Sequence, residues 1–128
     1  MNQRIENQLV TRILDQAFKI HSALGPGLLE SVYEKCLQFE LTEAGLLAET
    51  QVPVAMNYKE IHFDTGFRID LLVENKVLVE IKSVETISPV HFAQTLTYLR
   101  MKNLRLGLLI NFNTKFLKNG IHRVANNF

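Results

Sequence analysis

Ile5, Leu9, Ile13, Ala17 and Ile20 recur at helical spacing, and Val10, Leu14 and Phe18 widen the stripe, so residues 3–23 read as an amphipathic helix. The Gly-Pro-Gly run at 25–27 stops it. A second helix is predicted over residues 28–44, closed by Gly45 in the left-handed conformation that helix C-termini favour. Its apolar arc is Leu29, Val32, Tyr33, Cys36, Leu37, Leu41 and Ala44. Glu30 and Glu34 stand one turn apart near the margin of that arc, and Glu40 falls inside it. Three acids on or beside the packed face of one helix exceed what a solvated surface requires.

The period then changes to two. Val52, Val54, Met56 and Tyr58 alternate with other residues, predicting a strand over 51–59, and further strands follow at 61–73 and 77–84, with a bulge at Gly66. Ser88 and Pro89 open a helix that runs to about residue 103. The run LRLGLLINF at 104–112 is nearly continuous apolar sequence and fits a central strand covered on both faces. The tail carries an Asn-Gly turn at 119–120 and is expected to end in a short strand or helix. The order α-α-β-β-β-α-β predicts an α/β sandwich with a central mixed sheet.

A chain of 128 residues with 47% hydrophobic content has the size of one domain with its own core, taken here as residues 1–128. No apolar run approaches the ~20 residues that cross a bilayer, and MNQRIENQLV lacks a basic segment followed by an apolar one. No membrane association and a cytoplasmic location are therefore expected. The single cysteine, Cys36, has no visible base beside it and reads as a buried structural thiol. Charge is unevenly spread: residues 1–85 hold all 13 acids against 8 bases, a net −5, whereas residues 86–128 hold 6 bases and no acid. That asymmetry either neutralises itself on folding or marks a surface for a polyanion, through Arg100, Lys102, Arg105, Lys115, Lys118 and Arg123.

The second and third strands raise a specific question. Arg68, Asp70 and Leu72 should share one face and Phe67, Ile69, Leu71 and Val73 the other. On the third strand, Leu78, Glu80, Lys82 and Val84 should lie together, opposite Val77, Val79 and Ile81. A three-residue turn at 74–76, closed by Val73 and Val77, keeps the apolar faces aligned and sets Asp70 across from Glu80. Like charges directly opposed destabilise a sheet. Either Lys82 on the same face or a divalent metal would relieve them, unless the polar face is simply solvated.

Asp70, ten residues, then Glu80-Ile81-Lys82 on an adjacent strand resembles the PD-(D/E)XK nuclease signature, with Ile69 in place of the preceding proline. GLLESVY at 27–33 fits GxxExxY, and FELTEAGL, SPVHFAQTLTYLR and LRLGLLINF follow in order. Together these resemble the GxxExxY protein family of the PD-(D/E)XK superfamily, over nearly the whole chain. The resemblance implies a restriction-endonuclease-like fold and a Mg²⁺- or Mn²⁺-dependent nuclease acting on DNA, branched or damaged forms included. It implies Asp70 and Glu80 as metal ligands, with Glu34 as the helix acid, Glu30 close behind it, and the Ile81 carbonyl as a further ligand. The surroundings of Glu34 resemble the Glu-bearing helix of archaeal junction resolvases. Lys82 would orient or deprotonate the attacking water, and Gln94 and Tyr98 resemble the QxxxY motif of RecB-type nucleases. The six C-terminal bases would contact phosphates, and a chain this short would enclose DNA as a homodimer.

Two other functions are compatible with the same residues. One is a catalytically silent nucleic-acid-binding or assembly module of this fold. The other is an enzyme of a different class built on Glu30, Glu34 and His21, which separate pockets for the helix acids and the hairpin acids would favour. His21 itself sits at a helix end, where capping or packing is the ordinary role.

Overall fold

The computed structural model describes residues 4–128. Helices α1 (Arg4–Leu24) and α2 (Glu30–Glu43) precede strands β1 (Ala48–Tyr58), β2 (Ile61–Val73) and β3 (Val77–Lys82). Helix α3 (Pro89–Lys102), strand β4 (Leu106–Asn111), a 3-10 turn (Leu117–Gly120) and strand β5 (Ile121–Ala125) complete the chain. The expected first helix begins one residue earlier, at residue 3, outside the described residues. Among the described residues no helix is long and apolar enough to cross a membrane.

The five strands form one sheet in the order β1-β2-β3-β4-β5. Only β3 and β4 run parallel, joined across the sheet by α3; the other neighbours are antiparallel. The predicted mixed α/β sandwich is therefore present, with β5 as the short strand expected in the tail. Every residue of β4 is buried, as its continuous apolar run requires of a strand covered on both faces.

The core divides into two layers. Ile13, Ala17, Tyr33 and Leu37 from α1 and α2 pack on Leu71, Val79, Ile81, Leu108 and Ile110. On the opposite face Leu99 of α3 packs with Ile69, Leu72, Leu78 and Val124. Helix α2 ends at Gly45, whose φ of 86° supplies the expected left-handed stop. Its buried stripe is narrower than predicted: Tyr33, Leu37 and Leu41 are buried, whereas Leu29 and Val32 are exposed. Cys36 is half-buried, because it stands at the open edge of the α1–α2 groove beside Ile20 and Phe39. Glu40, the acid that falls inside the arc, is met by Lys19 of α1 at 2.9 Å.

The β2–β3 turn has the predicted length and register. Val73 pairs with Val77, Leu72 with Leu78 and Leu71 with Val79, with Glu74 and Asn75 both at positive φ. The continuous apolar face predicted for β2 is not present. Leu71 and Val73 face the α1–α2 layer, whereas Phe67 and Ile69 pack with α3. The alternation inverts at Asp70, opposite Gln51, which holds a φ of 51° within β1. The inversion coincides with this break in β1, and no residue of β2 itself has a positive φ, so a period-two reading of the sequence does not register it. Further out, the β1–β2 register shifts between Val54 and Met56, opposite residues 64–66, in keeping with the bulge expected at Gly66.

Candidate active site

The loop at 25–29 presents the first acids. Tyr33 is fully buried and stacks on Phe112, with ring centroids 4.4 Å apart. Its hydroxyl donates to the Gly25 carbonyl (2.6 Å) and accepts from the Leu28 N–H (3.1 Å). The tyrosine of GLLESVY thus fixes the loop that opens α2, and Glu30 and Glu34 follow on the exposed side of that helix. Ser83 ties the same loop to the end of β3: its hydroxyl donates to the Leu28 carbonyl (2.6 Å) and its N–H to Glu30 Oε2 (3.0 Å).

Asp70 and Glu80 hold the open end of the β2–β3 hairpin. The ladder stops at Leu71 and Val79, and each carboxylate replaces the missing backbone partner of the opposite strand. The Asp70 N–H donates to Glu80 Oε2, and the Ile81 N–H donates to Asp70 Oδ2, both at 2.9 Å. The two acids therefore interlock rather than simply facing each other. This explains how a hairpin accommodates them: each accepts a buried N–H that would otherwise be unsatisfied.

Gln51 completes the cluster from β1. Its Nε2 donates to Glu34 Oε1 (2.8 Å) and, more weakly, to Asp70 Oδ1 (3.3 Å), bridging helix and sheet. No sequence signal marked it except its place opposite Asp70. A left-handed glutamine is uncommon, and strain of this kind persists where surrounding contacts impose it.

Glu30, Glu34, Gln51, Asp70 and Ser83 line one cleft of about 670 Å³, with Leu28 and Leu29 as its apolar wall. Helix acids and a hairpin acid thus share one space. His21 lies elsewhere, donating from Nε2 to the Thr114 carbonyl (2.8 Å) in a different hollow, which removes the support for an enzyme built on Glu30, Glu34 and His21.

Burial pushes the Glu80 carboxyl up to about 8, with repulsion from Asp70 adding to it and the Asp70 N–H and Lys82 opposing it. Burial likewise raises Asp70 against the Ile81 N–H, Lys82 and Gln51, and raises Glu34 against the Gln51 bond. Tyr98 is raised by burial and then by Glu80 and Asp70, so α3 brings its phenol within electrostatic reach of the pair. Tyr98 also stacks on Phe67, with centroids 4.1 Å apart. Gln94, one turn earlier, is exposed.

Lys82 is partly buried at the end of β3, in register with Asn111 of β4. Its carbonyl accepts the Phe112 N–H (2.9 Å). Just beyond it, the buried Asn111 amide clamps Val84, accepting its N–H (3.1 Å) and donating to its carbonyl (2.9 Å). Gly120 packs so closely on this point that a Cβ there would run into the Asn111 carbonyl.

The six basic residues do not converge. β3 and β4 are parallel, so Arg105, just before β4, lies at the opposite end of the sheet from Glu80 and Lys82. It is held by Glu6 at 2.7 Å, and Arg123 bonds Asn7 Oδ1 at 2.7 Å. Arg100 and Lys102 sit on the last turn of α3, at that same distant end. Lys115 and Lys118 follow β4 and emerge at the carboxylate end.

The donors gathered at the cleft are oxygens, the type that Mg²⁺ and Mn²⁺ prefer, and the acids among them are raised first by burial and then by one another. Among the described residues no three acids, histidines or cysteines are drawn around one point. The fit is therefore one of donor chemistry: Asp70, Glu80 and Glu34 first, with Glu30 beside them.

Residues 7–124 match the family model of the PD-(D/E)XK nuclease superfamily. No curated protein and no solved structure matches the chain.

Proposed function

The chain belongs to the PD-(D/E)XK nuclease superfamily, and from that premise we propose that it is a Mg²⁺- or Mn²⁺-dependent nuclease of the GxxExxY type that hydrolyses phosphodiester bonds of DNA, branched or damaged DNA included. The observation that carries this reading is the interlocked pair Asp70 and Glu80, with Glu34 and Lys82 close enough to influence their charge.

Asp70, Glu80 and Glu34 would hold the cation, with Glu30 and the Ile81 carbonyl as further ligands. When bound, the cation activates water and offsets charge on the phosphate. Lys82 orients the attacking water, takes up its proton or passes it on, and donates to the phosphate oxygen that gains charge. Gln51 keeps Glu34 and Asp70 together, and Ser83 holds Glu30 against β3. Tyr98 and Gln94 approach from α3 as positioning groups. Leu28 and Leu29 form one apolar wall of the cleft. A homodimer would give such a short chain two faces with which to grip a duplex, which sedimentation would reveal.

The test is incubation of purified protein with single-stranded, duplex and branched DNA and with RNA, in Mg²⁺, Mn²⁺ or EDTA, beside Lys82→Ala. Cleavage that requires the cation and vanishes in the variant is expected. Binding without cleavage would assign the silent module instead, and equal cleavage by the variant would mean a contaminant.

A further inference from the structure

We propose that the hollow on the far side of the 25–29 loop is a subsite for an unpaired nucleotide of the substrate strand, with Phe116 stacking on the base and Lys115 and Lys118 contacting phosphates. It rests on the nuclease reading above and extends it to the form of the substrate.

The hollow has a volume of about 510 Å³ and is lined by Phe18, His21, Pro26, Lys115, Phe116 and Lys118, among others. Its position follows from the topology. β4 runs parallel to β3, so the segment after β4 leaves the sheet at the end that carries Glu80 and Lys82. The 25–29 loop borders both spaces: Leu28 and Leu29 face the carboxylate cleft, and Gly25 and Pro26 face the hollow. Tyr33 holds that loop by its two bonds to Gly25 and Leu28, while His21 anchors the opposite wall through the Thr114 carbonyl. The hollow is thus built between two fixed walls rather than formed by loose surface chain.

Its chemistry complements its neighbour. The cleft is lined by Glu30, Glu34 and Asp70, with Glu80 bonded to the Asp70 N–H beside it, so a phosphate strand approaching it is repelled unless cations flank the path. Of the six C-terminal bases, Lys115 and Lys118 are the two at this end of the sheet. Between them Phe116 is 56% exposed, and Phe18 across the hollow is 42% exposed. The Lys115 ammonium lies 5.5 Å from the Phe116 centroid. Exposed aromatic rings interleaved with lysines provide a stacking surface and a backbone grip for single-stranded nucleic acid, whereas a paired duplex offers no free base face.

The experiment measures binding by fluorescence anisotropy in EDTA, with a single strand, a gapped duplex and a fully paired duplex of DNA, and with a single strand of RNA. Phe116→Ala should weaken the single strand and gapped duplex by about tenfold and leave the paired duplex unchanged. Phe116→Trp should restore binding, and 2-aminopurine in the strand should be quenched by wild type and not by Phe116→Ala. Changing Lys115 and Lys118 together to Gln should lower the single-strand salt slope by about 1.4. Phe116→Ala that binds every ligand as wild type does, or loses the paired duplex equally, overturns the subsite. Cleavage assays on the same proteins separate the two readings. If wild type cuts and Phe116→Ala is indistinguishable from it on gapped DNA, this subsite fails alone; if wild type binds but never cuts, the nuclease reading fails and the subsite stands.

Discussion

Two glutamates are buried to nearly the same degree at opposite ends of the sheet, Glu6 at 7% exposure and Glu80 at 4%. They are compensated differently. Glu6 Oε2 accepts hydrogen bonds from Arg105 Nε at 3.0 Å and Nη2 at 2.7 Å, a full countercharge with two donors on one carboxylate oxygen. Glu80 receives a backbone N–H, lies near Asp70 and is only partly relieved by Lys82. A carboxylate that had merely to be buried would be met as Glu6 is met. The hairpin instead gathers two like-charged groups in a buried place, and burial and mutual repulsion raise both carboxyls.

The contrast is widest in catalysis. Lys82→Ala should slow hydrolysis by about a thousandfold, roughly 4 kcal/mol in the barrier, while Glu6→Gln should leave the rate within about twofold. Initial rates on labelled DNA decide it, and matching rates would erase the distinction between the two ends.

Stability should show the reverse pattern. Arg105→Ala leaves Glu6 buried without its guanidinium and should lower the unfolding free energy by about 3 kcal/mol, measured in urea. A loss below about 1 kcal/mol would mean that Glu6 is no better compensated than Glu80.

The pH response comes next. Folding raises the Glu80 carboxyl from 4.5 to about 8, so the folded state binds the proton more tightly than the unfolded chain does. The stability this contributes is present in full below 4.5 and is lost as pH rises through about 8. Cation-free protein should lose on the order of 5 kcal/mol across that window, and Glu80→Gln should flatten the curve. Saturating Mn²⁺ should reverse the slope, because cation binding strengthens as the acids lose protons. Thermal melts at stepped pH test all three arms.

Gln51→Gly is the finest of these tests. Glycine accepts the left-handed backbone without strain, so the variant should gain up to about 1 kcal/mol in cation-free buffer. It also loses the bridge from Glu34 to Asp70, so its rise in melting temperature on adding Mn²⁺ should shrink. A variant that is destabilised yet keeps the full Mn²⁺ response would make Gln51 a purely structural residue.

Much of this arrangement was legible in the chain because strand parity is strict. A three-residue turn was the choice that aligned the flanking valines, and it fixed the Val73–Val77 register. The same parity misled at Phe67 and Ile69, since the alternation inverts at Asp70, opposite the left-handed Gln51, without altering the composition. The acids of α2 were visible through helical spacing; that Glu40 is met by Lys19 was not, because nothing within one helix reveals the partner across a groove. The C-terminal bases looked like one group along the sequence, but parallel pairing of β3 and β4 sends Arg105 and Lys115 to opposite ends of the sheet. Gln51 and Asn111 escaped notice because an amide announces no chemistry until its partners are placed.

The close approach of Gly120 to the Asn111 carbonyl has a consequence for mutational scanning. Even alanine at position 120 would push on the strand end that latches Val84 and, through it, the segment carrying Lys82. A survey scored by growth or activity would therefore place this tail residue among the most intolerant positions, although it lies outside the lining of the carboxylate cleft. Only an abundance readout run in parallel would return it to the scaffold.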